Sequence, residues 1–300
     1  MSELKGEKIL LTGPTSQVAW PIAQALARTN EVYGLARLSD AADRERLKDI
    51  GVRPLPLDLG RDALDDVPAD CTVVLNFAVI KTGDFVYDLT ANAEGAGRLL
   101  SRCRKARAFL HCSSAAVYEP QRGPIKEDGA LGDSHRSMFP TYSLAKIAAE
   151  NVVRFAAREW NVPATIARFS VPYGNNGGWP WYHLMMMQAG QSIPVHVDQP
   201  CVYNLIHEDD YIAQIPRLLE IASVPATTVN WGGEPVALED WCRYLGEITG
   251  LEPKLKPTTH AIPGIELDVS RLRELVGPPR VAWRDGVRRL VEARAPQALR

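Results

Sequence analysis

Lys8-Ile-Leu-Leu-Thr12-Gly13-Pro14-Thr15-Ser16-Gln17-Val18-Ala19 is the stretch that decides the fold. A short apolar run closes on Gly13, and helical periodicity then occupies 18–29, which predicts strand, tight turn and helix. The same grammar repeats downstream. Glu31–Ala36 reads as a second strand, Leu55 as part of a third, and 72–78 as a continuous apolar fourth. Helix over 91–105, strand over 108–113, helix over 141–160 and strand Ala164–Phe169 follow. Strands that alternate with helices predict an α/β fold with a parallel sheet covered on both faces.

The texture changes after Tyr173. Gly174-Asn-Asn-Gly-Gly-Trp-Pro-Trp181 reads as loop, Met185-Met-Met187 lies in an amphipathic stretch, and prolines become frequent. A smaller, irregular second region is expected there, with no internal repeat.

Three hundred residues with 46% hydrophobic content bury a large core, in one big domain or two closely joined ones. The net charge of −2, with no run of Lys or Arg, predicts neither a nucleic-acid nor an anionic-membrane partner. Five scattered cysteines without a Cys-x-x-Cys pair suggest reduced thiols, with no metal site and no disulfide framework. The amino-terminal residues are polar and no long apolar stretch occurs, so a cytoplasmic location is expected.

Chemistry concentrates in Tyr142-Ser-Leu-Ala-Lys146 and, upstream, Ser113-Ser114-Ala-Ala-Val-Tyr118. On a helix, Tyr142 and Lys146 share a face one turn apart and can serve one site. A phenol with a pKa near ~10 exchanges protons poorly at neutral pH, and a nearby cation favours its ionised form. Lys146 is therefore expected to draw Tyr142 towards the working range, with a serine hydroxyl to orient a carbonyl. The first turn carries only Gly13 where a dinucleotide site normally has three glycines; Ser16 and Ala19 replace the others. The helix amino terminus remains an anion site whatever its side chains.

Taken in order, these motifs make the chain resemble the extended short-chain dehydrogenases/reductases, the NAD(P)-dependent epimerase/dehydratase family, over nearly its whole length. The collinear matches include Asp58-Leu59, Asn76-Phe-Ala-Val79, Asn92-Ala-Glu-Gly95, Arg168 through Tyr173-Gly174, Asn204-Leu-Ile-His-Glu-Asp-Asp210 and Asp268-Val-Ser-Arg-Leu272. The resemblance implies a Rossmann-type doubly wound parallel sheet with a smaller mixed α/β C-terminal substrate region. Residues 1–172, with about 200–224, would form the dinucleotide-binding domain, and 173–199 with 225–300 the substrate region. It implies Ser114, Tyr142 and Lys146 as catalytic residues. Thr12, Gly13, Thr15, Ser16, Gln17, Val18, Arg37, Asp58, Leu59, Phe77, Ala78, Asn92, Lys146 and Phe169 would bind the cofactor, and no metal is implied. Asp58 would meet the adenine, Ala78 the nicotinamide side, and Lys146 the ribose hydroxyls. Structural alternatives are Asp58 as a helix cap, Ala78 as packing and Ser113 bonding its own turn. A homodimer through the 91–105 and Tyr142 helices is also implied.

Arg37 stands where the family carries an acidic residue for the ribose, and a guanidinium pairs well with phosphate, so NADP(H) is favoured over NAD(H). In the alternative, Arg37 is merely exposed and Asp40 or Asp43 reaches the ribose. Family members acting on nucleotide sugars place basic or amide residues where this chain has Val171 and Tyr203, and an arginine that 258–264 lacks. A diphosphate needs several positive donors, so a UDP-sugar is disfavoured. Trp179, Trp181, Tyr182, Met185, Met186, Met187 and Trp231 are candidates for an apolar pocket around a small organic substrate.

The expected activity is reversible hydride transfer between NADP(H) and a carbonyl or secondary alcohol. The alternatives are a redox-neutral NAD-dependent epimerase or dehydratase, and a non-catalytic dinucleotide-sensing protein. Ala115-Ala116 offer no carboxylate for a dehydratase.

Overall fold

A computed structural model describes residues 4–300 of the chain. Strand and helix alternate through its first half: β1 (Lys8–Thr12), α1 (Ala19–Leu26), β2 (Glu31–Ala36), α2 (Ala41–Asp49), β3 (Val52–Pro56), β4 (Val73–Asn76), α3 (Phe85–Leu89), α4 (Gly95–Arg102), β5 (Ala108–Ser114), α5 (Tyr142–Trp160) and β6 (Ala164–Phe169). The second half carries β7 (Val171–Gly174), β8 (Gly177–Gly178), α6 (Trp179–Gln188), β9 (Ile193–His196), β10 (Val202–His207), α7 (Glu208–Glu220), β11 (Thr227–Trp231), β12 (Glu234–Ala237), α8 (Leu238–Thr249), β13 (Leu255–Thr258), α9 (Ser270–Val276) and α10 (Trp283–Arg294).

Seven parallel strands pair in the order β3-β2-β1-β4-β5-β6-β11. Both faces are buried, which is why the strands read as continuous apolar runs. Along β1, Ile9 and Leu11 enter a core with Ile22 of α1 and Ile215 of α7, whereas Leu10 enters the opposite one with Leu99 of α4 and Val153 of α5. The chain belongs to the Rossmann-type α/β class. Strand order reverses between β1 and β4, and ligands bind such sheets beyond the carboxyl ends at that crevice.

A four-stranded sheet, β12-β10-β7-β8, and the pair β13-β9 lie outside the main sheet. Their core gathers Tyr173, Leu184, Tyr203, Trp241 and Leu290. The sheets do not follow the expected division at 200–224 and 225. β10 pairs with β7, Leu205 opposite Val171, while β11 completes the main sheet against β6.

Two local expectations also change. The fourth strand stops at Asn76, because the Phe77 and Ala78 amides donate to the Thr12 hydroxyl and leave the ladder. Thr90–Glu94 forms a π turn rather than continuous α-helix, and there the Asn92 amide donates to the carbonyls of Asp88 and Ile80. The five cysteines are buried and free. No helix among the described residues is long and apolar enough to cross a membrane.

Candidate active site

The crevice at the β1–β4 switch is built by backbone. Gly13 leaves β1 with φ +68°, and a Cβ there would come within 3.1 Å of the Ala78 Cα. A side chain there would be strained by conformation and crowded against the Ala78 backbone. Thr12 ties the two strands together behind it, its hydroxyl donating to Asn76 Oδ1 at 2.8 Å. The resulting groove, about 200 Å³, has Gly13, Thr15, Ser16, Arg37, Asp58 and Ala78 in its walls, with Leu59 and Phe77 beside them. Thr15 and Ser16 lie in the turn before α1, and the Ser16 hydroxyl accepts from the Ala19 amide at the start of that helix, which sets the positive end of the helix towards the groove. These residues fit a dinucleotide: a close-approach backbone for the pyrophosphate and a flat apolar slot for the rings.

The remaining expected cofactor residues lie elsewhere. Thr12 is fully buried behind the wall. The Gln17 carbonyl accepts from Asn176, and its own amide nitrogen is buried without a partner. Val18 lines the neighbouring cavity. Asn92 holds Ile80 by both its backbone groups and acts on the groove only through it. Phe169 is buried in a stack on Trp231, ring centroids 4.1 Å apart. Asp58 caps no helix: its carboxylate accepts from the Gly60 amide within a turn and from the Tyr87 hydroxyl, while the residue lines the groove. Asp40 caps α2 and Asp43 pairs with Arg46, which occupies both of the alternative ribose ligands.

A second cavity of about 230 Å³ adjoins the groove, with Ser114, Tyr142, Lys81, His135, Trp179 and Tyr203 in its walls. Strand alternation along β5 separates the paired serines. Ser114 faces the cavity; Ser113 turns away and donates to Glu150 at 2.6 Å. Tyr142 is the first residue of α5, and Lys146 follows one turn later, as the spacing predicts. Burial pushes the Tyr142 phenol up to about 12, a hydrogen bond from Ser114 opposes that, and Cys112 adds to it. The ammonium of Lys146 instead donates to the Cys112 carbonyl at 2.6 Å, and burial lowers its pKa. In this arrangement the Lys146 amine is bonded to strand β5, and it is Ser114 that opposes the rise of the phenol's pKa.

Glu150, one further turn along α5, anchors that helix. Its carboxylate is fully buried and accepts from Arg168 at 2.9 and 2.8 Å, from Arg154 at 3.0 Å and from Ser113. Arg168 also donates to the Tyr118 hydroxyl, which in turn donates to Asn230. Sequence reasoning passed over Glu150, although a lone carboxylate on the apolar face shared with Lys146 and Val153 was a signal that a cation lay opposite. Lys81 and His135 carried no periodic signal in the sequence, since both come from loops between elements. The Ile80 and Thr82 amides that flank Lys81 are fixed by buried Asn92 and Asp88.

Of the aromatic and methionine candidates, only Trp179 reaches the cavity. Trp231 and Met187 are core, Trp181 lies against Arg294, and Tyr182 and Met185 are exposed. Val171 lines the cavity, and buried Tyr203 donates to the Ile262 carbonyl at 2.9 Å.

Residues 9–232 match the profile described as NAD dependent epimerase/dehydratase family. Comparison with curated proteins gives no match. Among solved structures, UDP-glucuronic acid 4-epimerase from Bacillus cereus, in complex with UDP-glucuronic acid and NAD, superposes with TM-score 0.81 at 21% identity, covering 95% of this chain and 98% of that one. UDP-N-acetylglucosamine 4-epimerase from Methanobrevibacter ruminantium M1, in complex with UDP-N-acetylmuramic acid, gives 0.82 at 16% identity over 98% and 100%. UDP-glucose 4-epimerase from Thermotoga maritima, with UDP-glucose, gives 0.78 at 20% over 96% and 99%. At these identities the likeness establishes the fold. The expectation of NADP(H) is corrected: the Bacillus cereus complex holds NAD. Arg37 gives that expectation no support of its own, being exposed, without hydrogen bond or ion pair among the described residues, and sharing its wall with the Asp58 carboxylate.

Proposed function

Because the chain belongs to the NAD dependent epimerase/dehydratase family and is an enzyme of that family, we propose that it inverts a secondary alcohol of a sugar-like substrate with NAD held throughout the cycle. The observation that carries this reading is the convergence of Ser114 and Tyr142 on one cavity wall, with Lys146 one turn further along the Tyr142 helix and bonded to the Cys112 carbonyl. Redox-neutral inversion replaces net reduction as the preferred activity, because the superposable structures are 4-epimerases. A dehydratase is disfavoured, since Ala115 and Ala116 line the cavity where a carboxylate would have to act. Retention of both Tyr142 and Lys146 speaks against a purely sensing role.

Gly13, Thr15, Ser16, Asp58 and Ala78 are the residues that would hold the dinucleotide, whose bound ring supplies the acceptor and donor of a hydride. Tyr142 takes the proton from the substrate hydroxyl and returns it to the inverted product. Ser114 donates to the same oxygen and holds it while charge develops. Lys146 braces the start of α5 against β5 and offers its remaining donors to the ribose. Val18, Val171, Pro172 and Ile265 give the cavity apolar walls, so a ketone can present its other face without breaking a set of fixed hydrogen bonds.

The enzyme is further proposed to be a homodimer through α5. Leu144 and Phe155, eleven residues apart and so on one helical face, are both exposed. Acid release of the dinucleotide from purified protein tests the functional reading. NAD close to one per chain supports it, and an empty or NADP-loaded protein contradicts it.

A further inference from the structure

The cavity beside Tyr142 carries a single cation. Lys81 is the one Lys or Arg in its wall, its amine 4.0 Å from the Phe139 ring centroid and 5.9 Å from that of Tyr142. It makes no ion pair or hydrogen bond with another described residue. Lys81 as a whole is exposed, yet partial burial of its amine lowers its pKa, and His135, lowered to about 4 by burial and by Lys81, stays neutral. The backbone on either side is nailed down: Asn92 accepts from the Ile80 amide, while Asp88 accepts from the Thr82 amide and hydroxyl and from Thr141. The nearby carboxylate of Asp88 is therefore committed elsewhere. A partly desolvated ammonium on a well-held backbone and without a counter-ion can receive an anion.

One cation suits one negative charge. A separate cleft of about 590 Å³ is lined by Gly264 and Glu266, the chain neighbours of Ile265, and among its lining residues the charged side chains are Arg122, Asp198 and Glu266. A diphosphate lying there would meet one guanidinium and two carboxylates. Tyr203, in the wall of the cavity beside Tyr142, has its hydroxyl already spent on backbone carbonyls.

We propose that the substrate is a free, singly charged hydroxy acid whose carboxylate pairs with Lys81, and not a nucleotide-linked sugar, a substrate assignment that rests on the epimerase reading above. Ser170, also in the wall, is placed to bond a further hydroxyl.

The test is calorimetric binding to the enzyme as purified, which requires no turnover and so stands apart from any failure of the inversion reading. The probes are D-glucuronate, its neutral amide D-glucuronamide, and UDP-glucose, on wild type, Lys81→Met and Lys81→Arg. Wild type should prefer glucuronate to its amide by about tenfold to a hundredfold, the range for a hydrogen bond to a charged group. The preference should vanish in Lys81→Met and return in Lys81→Arg, and UDP-glucose should bind no better than the neutral amide. An acid preference absent from wild type, or unmoved in Lys81→Met, overturns the proposal. So does tight UDP-glucose binding, and so does loss of bound dinucleotide in Lys81→Met with the acid preference intact, which would place Lys81 on the cofactor.

Discussion

Lys146 Nζ lies 2.6 Å from the Cys112 carbonyl oxygen and donates to it, so the ammonium that shares a helical face with Tyr142 is held by the adjoining strand. The acidity of the phenol is left to burial, which raises it to about 12, and to Ser114, which opposes the rise. In protein stripped of dinucleotide, the tyrosinate absorbance difference between wild type and Tyr142→Phe should be silent through the neutral range. Ser114→Ala should move that ionisation further up. Oxidised dinucleotide should move it down, because a cation within about 4–6 Å favours the ionised form. A wild-type midpoint near neutrality without dinucleotide would mean that Lys146 acts on the phenol after all.

Tyr142→Phe removes the proposed proton carrier and leaves the residues that line the groove in place. Steady-state turnover is expected to fall by about 100-fold to 10,000-fold, the range for a positioned acid or base. The dinucleotide released per chain should stay at the wild-type level. Turnover within threefold or so of wild type would take Tyr142 out of the chemistry.

The fold was legible because it rests on periodicity. Buried parallel strands are apolar throughout, and β2 and β6 begin and end where the pattern says. The Tyr142–Lys146 pair was legible for the same reason, a four-residue step on a helix. What spacing cannot carry is the direction of a side chain at its tip. Lys146 turning to Cys112, Phe169 stacking on Trp231 and Asp40 capping α2 are choices made by three-dimensional neighbours. β10 and β11 exchanged sheets against expectation because pairing between distant strands has no local signature. Arg37 misled about the cofactor since a lone exposed guanidinium reads the same in sequence whether or not a phosphate needs it.

Glu150 is expected to hold α5 in place more than it takes part in chemistry. Burial raises its pKa, but the hydrogen bond and charge of Arg168, with Ser113 and Arg154, outweigh that and leave it below its ordinary 4.5. A carboxylate depressed on folding stabilises the protein above its unfolded pKa, and that contribution fades as pH falls through the lowered value. Glu150→Ala should cost about 3–5 kcal/mol in urea denaturation at neutral pH, as expected when one partner of a buried pair is removed. The difference from wild type should shrink below pH ~4.5. A pH-independent difference would assign the loss to packing.

Phe155→Glu places a charge on the exposed face of α5. Light scattering should report a dimer for wild type and a monomer for the variant, with the fold retained by circular dichroism. A wild-type monomer removes the proposed interface.

Inversion with a resident dinucleotide has one signature at the reacting carbon. Glucuronate and UDP-glucuronic acid, each deuterated at the C4 carbinol position, are incubated separately with purified enzyme in ordinary water without added cofactor. Proton and deuterium NMR then follow that carbon. The expected result is that glucuronate acquires an inverted C4 that keeps its deuterium, with no net change in absorbance at ~340 nm, since the hydride leaves and returns within one active site, while UDP-glucuronic acid is left unchanged. Inversion with the label washed into solvent, or ketone accumulating together with reduced dinucleotide, would contradict it.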